Sequence, residues 1–280
     1  MIAGRLWLAL LLVLASCLSV SLTLPTAARA DDVRPFRFNA RLEGSLIGVG
    51  TATFLLAELF KPELAASECR VCGTNPLDER VQRGLRWDQG NRRKAQNSAH
   101  ALLFGIVPIA TVGTAAAVAM RAASRDHAFQ DAVVILESFL LTSNITLLTK
   151  FAVARRRPFV REGTSEQRDV FTGPQEDNVS FFSGHTSTTF SLAVAAGATA
   201  SFRGYRHAPL VWGVGLPLAF LTGYLSIAAD RHYFTDVLTG ALVGSAVGVL
   251  MPWLHARGQS SSAPTISSGA PGSLVVTWTR

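Results

Sequence analysis

His232 and Asp236 lie four residues apart in the segment S-I-A-A-D-R-H-Y-F-T-D, where an apolar helix is predicted to begin. A spacing of four residues places two side chains on the same face of a helix. The carboxylate can then accept the imidazole N–H and fix one tautomer, which suits the histidine to act as a nucleophile or base. Taken alone, the pair also fits a structural hydrogen bond or half of a metal site.

Cationic side chains cluster where an earlier apolar block ends, in K-F-A-V-A-R-R-R-P. Lys150 and Arg157 are two helical turns apart, so they are predicted to face the same way. Pro158 is expected to stop the helix and to fix the direction of Arg157. This pattern indicates an anion site, although clustered arginine also flanks many membrane-spanning helices.

A third segment, S-F-F-S-G-H-T-S, precedes another apolar block. Ser183 is a favourable helix N-cap, and Gly184 allows the backbone to come close to a ligand. The N–H groups at a helix start bind phosphate without needing a charged side chain, and His185 would stand beside that anion. Ordinary capping next to a surface histidine is the alternative for this segment alone.

Together the three segments resemble the signature of the type 2 phosphatidic acid phosphatase family, which includes bacterial acid phosphatases and vanadium haloperoxidases. The signature reads K-x6-R-P, then P-S-G-H, then S-R-x5-H-x3-D, and the resemblance covers about residues 139–240. The matching positions are Lys150, Arg157 and Pro158 in the first motif, Ser183, Gly184 and His185 in the second, and His232 and Asp236 in the third.

Two positions depart from this signature. Phe182 replaces the proline of the second motif, and Ser226, preceded by Leu225, replaces the arginine of the third. A guanidinium that would clamp phosphate is therefore missing. Arg231 adjoins His232 and stays a candidate phosphate ligand, but neighbouring side chains on a helix diverge by about 100°.

The resemblance implies a phosphoric monoester or diphosphate hydrolase that works through a phosphohistidine and needs no metal or other cofactor. His232, oriented by Asp236, would attack phosphorus, while His185 would protonate the leaving oxygen and then activate water. The phosphoryl oxygens would be bound by Lys150, Arg157, Ser183, Gly184 and Arg231. The substrate would be a phosphorylated lipid or a small phosphoester.

Two other functions stay open. Because Ser226 stands where the family has arginine, the chain could be a catalytically weakened member that binds phosphate or serves as a scaffold. A haloperoxidase would share the anion pocket, but those relatives are mostly soluble. A bromide-dependent oxidation assay with vanadate separates that activity from phosphate release.

The composition indicates a membrane protein. Of 280 residues, 49% are hydrophobic and only 16% are charged, and the mean hydropathy is positive. The net charge is +7, but Lys and Arg stand between apolar blocks without a basic stripe or interleaved aromatic residues. This pattern argues against nucleic-acid binding and favours loop orientation or a phosphate-bearing substrate.

Six apolar blocks alternate with polar connectors, which predicts an all-α, multi-span helical bundle. The resemblance implies that this bundle has a phosphatidic acid phosphatase type 2/haloperoxidase-like core. Only the second, fifth and sixth blocks approach the ~20 residues that span a bilayer. The others are shorter or carry Glu58, Glu137 and Asn144. The blocks are residues 45–60, 100–120, 132–148, 186–202, 209–229 and 237–254.

The two ends of the chain are predicted to lie outside a helical domain of residues 31–257. Residues 1–30 have the pattern of an export signal peptide, with a small-residue cleavage site before residue 31. Cys17 ends a lipobox-like L-A-S-C, which leaves lipoprotein processing as an alternative. The Ser/Gly/Pro-rich tail, residues 258–280, is predicted to be disordered apart from one short strand at 274–278 without an evident partner.

Cys69 and Cys72, in E-C-R-V-C-G, bear on location. A single C-x-x-C without a second pair is a weak zinc signal, and export would favour a disulfide. We expect a cell-envelope protein, in the inner membrane or periplasm, whose site faces away from the cytoplasm. The resemblance implies this side, because family members that span the membrane usually work on the outer face, and Cys69 and Cys72 could then oxidise. This topology requires the first block to pack without crossing. If all three blocks before Lys150 cross after a cleaved leader, the site is cytoplasmic, and the basic connector 61–94 would agree with the positive-inside rule.

Overall fold

The computed structural model describes residues 33–161, 176–257, 265–268 and 274–277, so the predicted leader and most of the tail lie outside the described residues. A π-helical turn, Leu102–Ile106, joins the helices Gln89–Ala101 and Val107–Ala122 into one continuous helix. The helices are α1 Ala40–Leu59, α2 Lys61–Leu64, α3 Pro76–Leu85, α4 Gln89–Ala101, α5 Val107–Ala122, α6 Arg125–Val153, α7 Pro158–Arg161, α8 Gly184–Arg203, α9 Ala208–Ala228 and α10 Phe234–Ala256.

Local capping chemistry sets the ends of the long helices. The Asn39 side chain accepts hydrogen bonds from the first backbone N–H groups of α1, and Ser124 and Ser183 cap α6 and α8 in the same way. Gly204 ends α8 in the left-handed conformation with φ 77°, and Ala154 ends α6 with φ 47°. These caps decide which residues leave the helices to build the site.

Helix α8 forms the centre of the bundle. Nearly every residue from Thr186 to Ala200 is buried, and α6, α9 and α10 pack around it. Small residues of α10 allow close contact, since a Cβ on Gly240, Gly244 or Gly248 would come within 3.0 Å of the α8 backbone or side chains. Within the described residues, the predicted all-α bundle with six long helices is confirmed.

Within the described ranges, five helices are long and apolar enough to cross a membrane: α1, the continuous α4–α5, α6, α9 and α10. The prediction that only three blocks reach this length is therefore wrong. Helix α1 begins at Ala40, five residues before the apolar block, and α6 extends to 29 residues. The polar residues also turn inward, since Asn144 donates to the Gly50 carbonyl and Glu137 is buried.

The tail contains two short strands. Thr265–Ser268 forms β1 and Leu274–Thr277 forms β2, and they pair antiparallel with Thr265 opposite Thr277. The predicted strand is thus found at Leu274–Thr277, and its partner lies in the same tail. Sequence reasoning missed β1 because T-I-S-S is too short and polar to give a strand pattern.

The long helices run alternately between two ends of the bundle. At the site end, the C-termini of α1, α6 and α9 meet the N-termini of α4, α8 and α10. The contact of Lys150 with Gly184 and the hydrogen bond from Ser183 N to the Asp236 carbonyl identify this end. At the far end, Arg203 pairs with Asp131 at 2.8 Å.

Candidate active site

A cavity of about 640 Å³ opens at the site end between α1, α4, α6 and α8. Its wall changes character from one side to the other. The apolar part includes Phe54, Leu103, Phe104, Pro108, Phe139 and Leu147, and the polar part includes Lys61, Lys150, Arg157, Glu176, Gly184, His185, Ser226, Arg231 and His232. Six of the eight predicted site residues therefore share one cavity, and Ser183 and Asp236 lie behind its wall.

His232 lies in the non-helical turn between α9 and α10, which begins at Phe234. The spacing predicted that His232 shares a helical face with Asp236, and this prediction is wrong. Its Nδ1 is 2.8 Å from the Ser180 carbonyl oxygen and 3.7 Å from the Asp236 carboxylate. Because a carbonyl only accepts, Nδ1 carries the proton and Nε2 presents its lone pair to the cavity.

Asp236 acts on His232 through Ser180. Its buried carboxylate accepts hydrogen bonds from the Ser180 hydroxyl at 2.6 Å, the Tyr233 N–H at 3.0 Å and the Arg155 guanidinium at 2.5 Å. The Ser180 carbonyl that orients His232 is thereby held in place. Sequence reasoning missed Ser180 because its contribution comes from the backbone.

Arg157 reaches the cavity from a loop, because α6 already ends at Val153 and Pro158 begins α7. Nη1 of Arg157 donates to the Arg231 carbonyl at 3.0 Å and lies 3.1 Å from Nε2 of His232. The helical spacing that predicted a shared face with Lys150 is therefore wrong, although both side chains do line the cavity. Arg157 is placed to contact whatever His232 attacks.

Glu176 is a buried carboxylate among the cations of the cavity. It lies 2.6 Å from Arg157 Nη2, 2.6 Å from Lys61 Nζ and 3.8 Å from Arg231 Nη2. Burial would raise the pKa of Glu176, but Arg157 and Lys61 hold that pKa well below its usual value. An ionised carboxylate thus occupies the position of a bound anion. No sequence pattern marks Glu176 or Lys61, since both lie outside the three motifs.

The start of α8 supplies further contacts. Ser183 caps the helix, and its own N–H donates to the Asp236 carbonyl, so its predicted contact with phosphate is not what the geometry favours. The N–H groups of Gly184 and His185 have no acceptor recorded within the described residues. A Cβ on Gly184 would stand 3.3 Å from Lys150 Nζ, so glycine lets the ammonium approach this helix start.

His185 is the second histidine of the cavity. Its ring stacks on His100 with centroids 4.9 Å apart, and Phe104 contacts it edge-on. Its Nε2 is buried and has no hydrogen-bond partner within the described part of the chain. The ring is thus fixed by stacking while one nitrogen stays available to a ligand.

Arg231 and Ser226 show how this chain departs from the family signature. Asp230 adopts φ 60°, so the chain turns there and both Arg231 and His232 line the cavity. The expectation that helical geometry would direct Arg231 away is therefore wrong. The Arg231 guanidinium lies over the Phe159 ring, 4.9 Å from its centroid. Ser226 donates to the Thr222 carbonyl of its own helix.

Two comparisons with known proteins find similarity to this chain. Residues 131–259 match the model of the PAP2 superfamily. The fold search matches the crystal structure of the first transmembrane PAP2 type phosphatidylglycerolphosphate phosphatase, from Bacillus subtilis, at 16% identity and a TM-score of 0.46, covering 72% of this chain and 93% of that one. No match is found among curated proteins. The matched segment, residues 131–259, carries all three motifs and is similar to the PAP2 superfamily.

Proposed function

We propose that this protein is a metal-independent phosphatase that hydrolyses a lipid-borne phosphate monoester or diphosphate through a phosphohistidine. The observation that carries the proposal is the geometry of His232. Its Nε2 faces the cavity 3.1 Å from Arg157, while Nδ1–H is held by a backbone carbonyl. The match of residues 131–259 to the PAP2 superfamily model supports a phosphatase.

In the first step, Nε2 of His232 attacks phosphorus as the bond to the leaving oxygen breaks. Burial, aided by Arg157, lowers the pKa of His232 to about 3, so its lone pair is available at neutral pH. Positive charge then develops on the imidazole, and the nearby Asp236 carboxylate stabilises it. Lys150, Arg157 and the first N–H groups of α8 bind the phosphoryl oxygens.

His185 moves the protons. The bound phosphate favours the protonated imidazole, which gives its proton to the leaving oxygen. In the second step, the same nitrogen takes a proton from water as that water attacks the phosphohistidine. Inorganic phosphate leaves, and His232 returns to its neutral form.

The shape of the cavity supports a lipid substrate. Its apolar wall contains Phe54, Leu103 and Phe104 next to the polar end, which suits a chain attached to a phosphate. The continuous helix Gln89–Ala122 has 34 residues and is about 51 Å long, whereas the hydrocarbon core of a bilayer is about 30 Å thick. Its polar first turns would project from the membrane and bring the cavity to the depth of lipid headgroups.

The site is proposed to face away from the cytoplasm, in the inner membrane of a cell envelope. A disulfide joins Cys69 and Cys72 in the connector between α2 and α3, at the site end. Disulfides persist in oxidising compartments. Two basic residues of the segment 61–94 have structural partners, since Lys61 pairs with Glu176 and Arg92 with Asp230, which weakens the positive-inside argument.

A catalytically weakened member is the second candidate. Ser226 leaves one cation of the signature missing, and Glu176 already pairs with Arg157 and Lys61. Substrate would then bind without rapid turnover.

The test is phosphate release by the purified protein with chelator present. The substrates are phosphatidate, phosphatidylglycerol phosphate, a polyprenyl diphosphate and lipid A. We expect release from at least one, inhibition by vanadate, and a loss of at least a thousandfold in His232→Ala. His207→Ala, at the far end of the bundle, is the matched control. Full activity in His232→Ala, or activity only with added metal, would refute the mechanism.

A further inference from the structure

A second group of buried titratable side chains lies away from the phosphatase cavity, towards the far end of the bundle. Glu43 of α1, Glu137 of α6 and His255 of α10 come together there, and they are 5%, 4% and 8% exposed. Each offers one ligand atom, and these atoms all lie within 4.8 Å of one another. None of the three takes part in the proposed reaction.

The surroundings of Glu137 indicate that this group lacks a balancing positive charge. Both of its carboxylate oxygens are buried and accept no hydrogen bond from the described residues. A buried carboxylate without a compensating donor or cation is strongly unfavourable, more so within a membrane helix. Glu43 brings a second carboxylate to the same point, so the two acids need positive charge between them.

His255 is prepared to act as a ligand. Its Nδ1 lies 2.9 Å from the Met251 carbonyl, so Nδ1 carries the proton and Nε2 points its lone pair at the two carboxylates. A ligating histidine commonly has its other ring nitrogen hydrogen-bonded to a carbonyl in this way. Phe36 packs against the ring, and the Arg37 N–H donates to the His255 carbonyl, which closes this end of the bundle.

The spacing of the ligand atoms fits one ion. Nε2 of His255 is 3.4 Å from Glu137 Oε2 and 3.7 Å from Glu43 Oε1. Tetrahedral Zn²⁺ with bonds of about 2.1 Å places its ligand atoms about 3.4 Å apart. An imidazole with two carboxylates favours Zn²⁺ or a similar transition metal over Ca²⁺ or Mg²⁺, which prefer oxygen ligands.

We propose that Glu43, Glu137 and His255 bind one divalent transition-metal ion, Zn²⁺ fitting best, as a structural site that ties α1 to the bundle. Helix α1 needs such a tie because most of its surface faces outward. The ion balances the two carboxylates and connects α1, α6 and α10. The site is separate from the phosphatase cavity, so the metal-independent reaction is unaffected by this proposal.

The experiment uses the full chain with a tag that contains no histidine. The protein is stripped with chelator, incubated with two equivalents of Zn²⁺, separated from unbound metal and analysed for metal content. We expect one Zn²⁺ per chain, a Tm at least about 4 °C higher with Zn²⁺ than after stripping, and at least tenfold weaker binding by Glu137→Gln. Glu63→Gln, an exposed residue of α2, is the control that keeps the site.

A measurement on the unaltered protein covers the case in which Glu137→Gln fails to fold. X-ray absorption of the Zn²⁺-loaded chain should show nitrogen and oxygen ligands at about 2.0–2.2 Å and no sulfur. Absence of bound Zn²⁺ in the unaltered protein would overturn the proposal and leave shared protons as the balancing charge. Equal binding by the unaltered protein and Glu137→Gln would overturn it too, because the metal would then sit elsewhere, for example on His100 and His185.

Discussion

At the scale of single residues, Glu176 distinguishes this cavity from a simple phosphate clamp. Its carboxylate makes the contacts with Lys61 and Arg157 that the oxygens of an anion would make. A substrate must therefore displace it or bind beside it, against like charge.

Replacing Glu176 by glutamine should tighten anion binding. We expect the inhibition constant of vanadate to fall about tenfold in Glu176→Gln, because the amide keeps the size of the side chain and removes its charge. Vanadate titration of phosphate release measures the constant. Glu79→Gln, which changes an exposed pair with Arg161, is the control. Weaker vanadate binding in Glu176→Gln would mean that the carboxylate serves to position Arg157.

Restoring the family's arginine should raise activity. Ser226 lines the cavity, and a guanidinium there could pair with Glu176 and reach a phosphoryl oxygen. Since one preorganised donor contributes on the order of a hundredfold in rate, Ser226→Arg should increase kcat/KM at least about tenfold.

Arg231→Ala in the same assay tests whether Arg231 has taken over the phosphate contact of the missing arginine. Arg231 lines the same cavity as His232. If the phosphate contact at position 226 is vacant, Arg231→Ala should lower kcat/KM by a smaller factor than Ser226→Arg raises it. An unchanged kcat/KM in Ser226→Arg, together with a large loss in Arg231→Ala, would show that the phosphate contact at position 226 is not vacant. Thermal melts of both variants check folding.

The motifs predicted the residues of the site better than the contacts among them. His185, His232, Lys150 and Arg157 were predictable because each motif residue carries its own chemistry. Ser180 and Glu176 were not, since the first acts through its backbone and the second pairs with Arg157 and Lys61, which are distant in sequence. Long-range pairing of this kind leaves no periodic signal in a single sequence.

At the scale of helices, the contact between α8 and α10 fixes the relation of the second motif to the third. A Cβ on Gly244 would overlap the Ser187 carbonyl oxygen, which belongs to the α8 backbone and cannot turn aside. Gly244→Ala should therefore lower the free energy of unfolding by about 1–3 kcal/mol. Gly113→Ala is the matched control, because a Cβ there meets nothing within 4 Å and should be neutral or stabilising.

Thermal melts in detergent measure both glycine variants. Equal stability of Gly244→Ala and Gly113→Ala would show that α10 shifts to accept the methyl group. Activity should fall with stability in Gly244→Ala, since Gly184 and Asp236 move with these two helices.

The apolar blocks predicted the long helices, but helix ends were harder to predict. Hydrophobic periodicity gave the six rods and their order. It did not reveal that α6 stops before Arg157, because Ala154 adopts a left-handed conformation that is rare for alanine. Nor did it place His232 outside α10, which depends on Asp230 and its ion pair with Arg92. Helix ends that depend on contacts with residues distant in sequence cannot be predicted from a local hydrophobic pattern.

At the scale of the whole molecule, the orientation in the membrane links three predictions: export of the N-terminus by residues 1–30, crossing of the membrane by α1, and the side on which the site lies. Helix α1 is long enough to cross, so the site end and residue 40 lie on opposite sides if it does. A leader that is cleaved after export would then place the site in the cytoplasm. An outward site therefore requires either that α1 does not cross or that residues 1–30 do not export the N-terminus.

Labelling of Cys69 and Cys72 decides between these orientations. With the site outward, an impermeant thiol reagent should label both cysteines in intact cells after mild reduction. Cys69→Ser together with Cys72→Ser is the control for labelling elsewhere. Protection until lysis would place the site in the cytoplasm and agree with a cleaved leader.

In the described part of the chain, the cavity lies at the site end of the bundle, and this affects how turnover must be measured. In sealed vesicles into which the protein inserts at random, about half of the molecules would present their openings to the lumen. Added substrate that cannot flip would not reach them, so this share of the activity would stay latent until detergent is added. Specific activities from vesicles and from micelles should therefore differ by about twofold with no change in the enzyme itself.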